Sequence, residues 1–319
     1  MSSDVFLRKE QRSKNVEITD YSKPDITDLY LLKWQNILNI TKDIIDIDAA
    51  LIMKITPDTL EVFVKSENKE NPYNVGDSES LGKGLYCETV IGKNEKLFIK
   101  NALNSEIWEN NPDIDLNMIS YYGMPINWPD GETFGTFCIL DSKEIELDEN
   151  KINIFKSFKN IIETDLKSLV KQTELNNFFE INLDLLCIAN LDGEFVKVNS
   201  SWEDLLGYTI DKLEGMSFLD FIHPEDLKAT NKAINKLKKN ENVINFVNIF
   251  KDEKGKYNFI EWRSKLKNNY IYAAARDITK RLLDQERLKN QKKRLDWIIE
   301  GTDAGTWEWN IVTDKTIFN

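Results

Sequence analysis

Histidine is almost missing from this chain of 319 residues, because His223 is the only one. Histidine is the side chain that most often binds metal ions or moves protons near neutral pH. A cluster of histidine ligands is therefore excluded, as is any Ser-His-Asp or Cys-His arrangement without His223. Pro224 follows it directly, and we interpret His223 as a loop or capping residue.

Cysteine is also scarce. Cys87, Cys138 and Cys187 lie far apart in the sequence and show no C-x-x-C spacing. This pattern argues against a disulfide framework and against a zinc site. Each cysteine has apolar neighbours in the sequence, so we predict that all three are small buried hydrophobic residues.

Long apolar runs are absent too. No stretch approaches the roughly 18 residues of a membrane span, and the N-terminus has no apolar signal core. The net charge of −12 disfavours binding to nucleic acid or anionic lipid. The basic stretch 280–294 also contains Asp284 and Glu286 and predicts a solvated helix face. We expect a cytoplasmic protein that binds neither membrane nor nucleic acid.

Candidate acid, base and phosphate sites are weak. The paired carboxylates Asp113/Asp115 and Glu144/Glu146 lie in polar segments without a matching partner, so acid/base catalysis is not supported. Residues 82–84 (GKG) are a lone G-x-G, which favours a flexible turn over a phosphate cradle. We expect no catalytic residues and no metal site in this chain.

The length of 319 residues suits about two folded domains. The composition, with 41% apolar and 30% charged residues, is ordinary for globular protein. Spacing and turn residues predict secondary structure throughout. In the first half the predicted elements are a helix from residue 26, strands at 49–55, 60–64, 121–126 and 133–140, and a helix at about 147–175. In the second half they are strands at 185–189 and 194–198, short helices to 222, a helix at 224–240, strands at 243–250, 257–266 and 270–275, and a helix at 278–299.

The last residues predict a hairpin. Trp307, Trp309 and Ile311 alternate with polar residues and lead through a turn to a second β-prone stretch at 316–318. A two-stranded hairpin cannot bury two tryptophans by itself. We expect the chain to be the front part of a longer protein whose output domain is absent here.

Several motifs of the first half resemble a GAF domain. These are residues 85–91 (LYCETVI), 101–102 (NA), 118–131 (MISYYGMPINWPDG) and 134–141 (FGTFCILD). Motifs of the second half resemble a PAS domain, namely Asp192-Gly193, Asn199, 205–208 (LLGY), 221–227 (FIHPEDL) and 275–281 (ARDITKR). Residues 301–310 (GTDAGTWEWN) resemble the opening of a second PAS domain.

These resemblances imply an α+β fold with two domains, each an antiparallel sheet flanked by helices, joined by long helices and followed by a truncated PAS hairpin. The implied organisation is a tail at 1–24, a GAF domain at 25–172, a PAS domain at 173–281, a linker signalling helix at 282–299 and the truncated start of a second PAS domain at 300–319.

The implied function is a cytoplasmic sensory region of a signalling protein. GAF and PAS domains would bind a small ligand or dimerise, and the linker helices would form a homodimer and relay a change to the missing output. The resemblance favours a diguanylate cyclase output slightly over a histidine kinase. Motifs of both outputs are missing, and Pro224 and the missing phospho-acceptor motif prevent His223 from being the phosphorylated residue. The chain itself is therefore expected not to be an enzyme.

The resemblance also points to a pocket and against known cofactors. It places Trp202, Phe221, Trp262 and Tyr272 near the PAS cavity, where aromatic residues suit either a ligand pocket or a filled core. Bilin is disfavoured because the GAF region has no histidine. Flavin is disfavoured because the reactive-cysteine motif is missing, and heme because residues 229–237 contain no histidine. The resemblance leaves an unidentified small molecule as the candidate ligand.

Two alternatives stay open. The chain could be a dimerisation scaffold whose pockets are filled and bind nothing. It could also be a thiol-based redox enzyme that uses Cys87 and Cys138, although the sequence shows neither a base nor a resolving pair for them. Fast reaction with a thiol reagent would favour the enzyme, because buried core thiols react slowly.

Overall fold

The computed structural model describes residues 23–302, 305 and 307–318. The chain divides into two compact units between Leu175 and Asn176. The 32-residue helix α3, Glu149–Glu180, contains this division. The predicted tail at 1–24 lies almost entirely outside the described residues.

Unit 1 is a six-stranded antiparallel sheet with helices on both faces. Its strands lie in the order β3-β2-β1-β6-β5-β4. Its elements are helices α1 (Asp28–Ile45) and α2 (Tyr86–Lys93), strands β1 (Ala49–Ile55), β2 (Thr59–Lys65), β3 (Ser78–Ser80), β4 (Leu97–Ile99), β5 (Ser120–Asn127) and β6 (Thr133–Asp141), and part of α3.

The sheet of unit 1 is buried on both faces. Trp34 of α1 and Phe155 of α3 belong to the core on one face, and Tyr86 of α2 belongs to the core on the other. Every residue of the central strand β6 is accordingly buried. Gly135 is required in this strand because a Cβ there would lie 1.7 Å from the carbonyl oxygen of Met53 on β1.

Unit 2 is a five-stranded antiparallel sheet in the order β8-β7-β11-β10-β9. Short helices cover its inner face, and its outer face is partly exposed. Its elements are strands β7 (Leu185–Asn190), β8 (Phe195–Val198), β9 (Val243–Lys251), β10 (Tyr257–Lys267) and β11 (Tyr270–Asp277), helices α4 (Ser200–Leu206), α5 (Ile210–Leu213) and α6 (Leu227–Lys238), and 3-10 turns Phe218–Phe221 and Pro224–Asp226.

Helix α7 (Thr279–Thr302) follows, and then a hairpin of strands β12 (Trp307–Asn310) and β13 (Lys315–Phe318). Trp307 and Trp309 are 66% and 50% exposed in this hairpin. None of the described helices combines the length and apolar character needed to cross a membrane.

The predicted fold class is confirmed. Each unit is an antiparallel sheet flanked by helices, and the predicted strands occur within about two residues of their expected bounds. The short edge strands β3 and β4 were not predicted, because three-residue strands carry too little alternation to be recognised.

Candidate ligand-binding site

Unit 2 contains a cavity of about 50 Å³ between the inner face of its sheet and helix α6. This volume is several times the roughly 10–15 Å³ that one water needs. It is far smaller than the roughly 300–1,000 Å³ of a pocket for a drug-sized molecule. A water cluster or a ligand of a few non-hydrogen atoms would fill it.

Three small side chains on the walls of the cavity leave this space. Ala189 of β7, Ala273 of β11 and Ala233 of α6 all line the cavity. Across the two strands, Ala273 pairs with Cys187 and Ala189 pairs with Ile271, and both partners line the cavity as well. Since protein interiors pack closely, alanine at these three positions leaves a gap that larger residues would close.

A β-bulge at Asn245 decides which side chains of β9 enter the cavity. Phe246 pairs with Trp262 and Ile244 pairs with Arg263, so Asn245 has no partner on β10. Its φ of +56° is a value that asparagine adopts more readily than most residues. The extra residue shifts the alternation, and as a result the side chain of Asn248 is buried at the cavity wall.

Asn248 joins two elements through hydrogen bonds. The indole Nε1 of Trp262 donates to Asn248 Oδ1 at 2.6 Å, and Asn248 Nδ2 donates to Thr230 Oγ1 at 3.1 Å. Because an indole nitrogen can only donate, it fixes the orientation of the amide. Thr230 Oγ1 therefore accepts, and its own hydrogen is left to donate to another acceptor.

The rest of the lining is apolar or neutral. Ser264 adds a second hydroxyl group. Burial raises the pKa of the Cys187 thiol to about 12, so this thiol is protonated at neutral pH and is a poor nucleophile. The cavity thus presents an apolar wall with two hydroxyl groups and no ionised side chain among its lining residues.

Of the four aromatic residues predicted near the cavity, Trp262 lines it. Trp202 and Phe221 are buried in the adjacent core, where both pack against Phe195 and Phe250. The indole of Trp202 also donates to the carbonyl oxygen of Leu186 at 3.1 Å. These two residues shape the core beside the cavity without lining it.

Tyr272 lies elsewhere. Its side chain is 44% exposed and lines a shallow groove on the outer face of the sheet. Its neighbours Ile271 and Ala273 line the cavity, and successive side chains of a strand point to opposite faces. Strand alternation therefore separates Tyr272 from the cavity, where the sequence prediction had placed it.

His223 is a capping residue, as predicted. It precedes the turn Pro224–Asp226, and its Nδ1 accepts from the backbone N–H of Glu225 at 3.3 Å. The imidazole ring meets the ring of Tyr257 edge-on, with centroids 5.0 Å apart. These contacts account for its position in the loop.

The G-x-G of unit 1 is occupied by a side chain of the same chain. The backbone N–H groups of Gly82 and Gly84 donate to the carboxyl oxygens of Glu88 at 2.7 and 3.1 Å. Glu88 is fully buried, and this burial raises the pKa of its carboxyl group. The two donors that a phosphate would need are already bound.

Asp113 is also better enclosed than its polar sequence suggested. The hydroxyl group of Tyr73 donates to Asp113 Oδ1 at 2.7 Å. Burial raises the pKa of Asp113 to about 6, although the hydrogen bond from Tyr73 acts in the opposite direction. Across the described ranges, no three His, Cys, Asp or Glu residues are grouped to hold a metal ion.

The two cysteines of unit 1 are neighbours although they are 51 positions apart in the sequence. Cys87 Sγ and Cys138 Sγ are 3.8 Å apart, and both residues are buried. Thr136 Oγ1 donates to Cys87 Sγ at 3.1 Å, and the hydroxyl oxygen of Tyr121 lies 3.3 Å from the same sulfur. The spacing of cysteines in the sequence gave no sign of this pair.

Comparison with known proteins finds a family model that matches part of unit 2. Residues 195–270 match the family model described as the PAS fold. This confirms the resemblance of the second half to a PAS domain. None of the curated proteins compared with the sequence matches it.

Solved structures also match. A domain of a sensory box sensor histidine kinase/response regulator from Geobacter sulfurreducens is 18% identical, with 34% of this chain and 95% of that chain covered and a TM-score of 0.31. The PAS domain of the RpfR quorum-sensing receptor from Cronobacter turicensis, in complex with BDSF, is 17% identical, with 31% and 96% covered and a TM-score of 0.29. The E. coli DhaR(N)-DhaL complex is 11% identical, with 83% and 96% covered and a TM-score of 0.37.

Proposed function

We propose that this chain is the sensory region of a cytoplasmic signalling protein and that its PAS unit binds a small molecule in the cavity under α6. The observation that carries the proposal is the cavity itself, with the Thr230 hydroxyl group held at its wall by Asn248. The match of residues 195–270 to the PAS fold supports a sensory role.

The lining defines the class of ligand. A charged molecule would lose its hydration without gaining an ionic partner, which is costly. A small neutral molecule with an apolar body and one hydrogen-bond acceptor would satisfy both the wall and the Thr230 hydroxyl group. Heme, flavin and bilin are not part of the proposal.

The other parts of the proposal rest on sequence resemblance. Unit 1 would be a GAF domain that supports sensing or dimerisation. Helix α7 would pair with its copy in a homodimer, since Leu288 and Leu295 are seven residues apart and 68% and 57% exposed. The output would be a diguanylate cyclase or, as the second candidate, a histidine kinase, with no catalysis by this chain.

Native mass spectrometry of the purified chain tests ligand binding. We expect a small neutral adduct on the wild type and its loss in Ala273→Leu, because the added carbon atoms enter the cavity. Ala274→Leu is the matched control, because Ala274 is the next residue of the same strand and lines the outer groove instead. It should keep the adduct.

Two results would contradict the proposal. One is a wild-type chain that carries no adduct after purification from cells, which would favour the dimerisation scaffold. The other is an adduct that survives Ala273→Leu, which would place the ligand outside this cavity. Synthesis of cyclic di-GMP or autophosphorylation by the purified chain would overturn the assignment of catalysis to a separate output.

A further inference from the structure

We propose that Cys87 and Cys138 form a reversible dithiol–disulfide couple that a hydroperoxide oxidises, linking helix α2 to the central strand of unit 1. This site is independent of the cavity in unit 2. It differs from a thiol enzyme, because the product is a modified chain and no substrate is turned over.

The sulfur atoms are already in van der Waals contact. They are 3.8 Å apart, and a disulfide needs roughly 2.0 Å. Cys138 cannot move far, because β6 is paired with β1 and β5 on both sides, at Leu51 and Gly123. Cys87 lies on the short helix α2, which packs on the sheet and is not part of it. The remaining distance can therefore close by movement of Cys87, through rotation of its side chain or a shift of α2.

The surroundings distinguish the two thiols. Cys87 is the second residue of α2. Thr136 Oγ1 donates to the Cys87 sulfur, and the Tyr121 hydroxyl group lies next to it. Burial raises the pKa of the Cys138 thiol, so Cys138 stays protonated.

The exposure of the two cysteines also indicates that Cys87 reacts first with a peroxide. Cys87 is 7% exposed, whereas Cys138 is fully buried. A peroxide that enters from solvent reaches Cys87 first. Cys87 is thus the sulfur that is oxidised first, and Cys138 is the sulfur that resolves the oxidised form.

The two steps balance. The Cys87 thiol sulfur attacks one peroxide oxygen, the S–O bond forms, the O–O bond breaks, and the thiol proton passes to the departing hydroxide to give water. Cys138 then attacks the Cys87 sulfur as its own proton is lost to the departing hydroxyl group, which leaves as a second water while the S–S bond forms. Two thiols and one hydrogen peroxide give one disulfide and two waters, and a dithiol reductant reverses the reaction.

Cys187 provides an internal control. It is buried in unit 2, and its burial raises its thiol pKa to about 12. It lies in the other compact unit and should stay reduced. Oxidation of the folded chain is expected to lower the number of free thiols from three to one.

The test uses the full chain and hydrogen peroxide as the probe. The folded protein is oxidised, quenched with acid, unfolded and alkylated, and its intact mass and peptides are measured. We expect the oxidised chain to carry one alkyl group where the reduced chain carries three, and one cross-linked peptide pair, Cys87 with Cys138, both reversed by dithiothreitol. Cys187→Ser should behave in the same way, whereas Cys87→Ser and Cys138→Ser should form no intramolecular link.

The chain oxidised after unfolding in urea is the second control, because it can pair any two of its three cysteines. A folded chain that keeps three free thiols under conditions that cross-link the unfolded chain would overturn the proposal. So would a link that involves Cys187. Neither result depends on whether the serine variants fold.

Discussion

The bond between Asn248 and Trp262 can be tested by replacing Asn248 with alanine. The variant loses two hydrogen bonds, from Trp262 Nε1 and to Thr230 Oγ1. A buried donor left without an acceptor costs about 1–3 kcal/mol. Thr230 Oγ1 loses only the hydrogen that Asn248 donated and can still donate its own, so its cost lies near the lower end. We expect unit 2 to lose about 2–4 kcal/mol of stability.

A second substitution isolates the bond itself. Trp262→Phe removes the indole donor, so adding Asn248→Ala to it leaves no orphaned N–H group. The double variant should therefore lose less stability than the sum of the two single variants, by about 1–3 kcal/mol. Val247→Ala is the matched control, because Val247 lies on the outer face of the same strand and is 40% exposed. It should change stability by less than about 1 kcal/mol.

Native-state hydrogen exchange is the appropriate assay. It reports the opening free energy of β9, β10 and β11 separately from unit 1, and a chain of two units need not unfold in one step. An opening free energy of Asn248→Ala within about 0.5 kcal/mol of the wild-type value would contradict the prediction. Additive losses of stability in Asn248→Ala and Trp262→Phe would contradict it as well.

Two further predictions concern pH and dimerisation. A carboxyl group whose pKa is higher in the folded state binds its proton more tightly there, so the contribution of Asp113 to stability is full below about pH 4 and is lost as pH rises through about 6. Urea unfolding between these pH values should show this loss in the wild type and not in Asp113→Asn, which keeps an acceptor for Tyr73. A free energy of unfolding that changes with pH by the same amount in both chains would contradict the prediction. Light scattering should show a dimer that Leu288→Glu and Leu295→Glu convert to monomer, whereas Leu283→Glu, outside their heptad frame, should not; a monomeric wild type would refute the pairing of α7.

Local chemistry made much of the fold predictable. The hairpin of β5 and β6 could be anticipated because Trp128 to Glu132 combines a proline that presets φ with Gly131, whose φ is +94°. The capping role of His223 was predictable for the same reason, since a proline follows at the first position of the turn. Each of these predictions uses residues within a few positions of one another.

The parts that could not be predicted depend on distant contacts. The bulge at Asn245 changes which residues of β9 face inward, and an apolar run of that kind shows no alternation that would reveal it. The Thr230–Asn248–Trp262 network follows from the bulge and was missed with it. The Cys87–Cys138 pair needs both the position of α2 on the sheet and the register of β6.

Strand β10 offers a route from the cavity to α7. Trp262 meets Asn248 at the cavity wall, and three residues earlier the backbone N–H of Phe259 donates to Thr279 Oγ1 at 2.8 Å. Thr279 is the first residue of α7. A ligand that accepts a hydrogen bond from the Thr230 hydroxyl group would act through Asn248 on Trp262, at one end of this segment of β10. At the other end, Phe259 holds the start of α7.

Proximity alone does not demonstrate coupling, so the exchange measurement on Asn248→Ala must decide it. If β10 transmits the change, the amides in the first turn of α7 will lose protection together with those around Trp262. If only the amides near Trp262 respond, the network is local, and the cavity has no influence on α7. Val247→Ala perturbs β9, the strand of Asn248, from its outer face. It therefore separates transmission along β10 from a general loosening of the sheet.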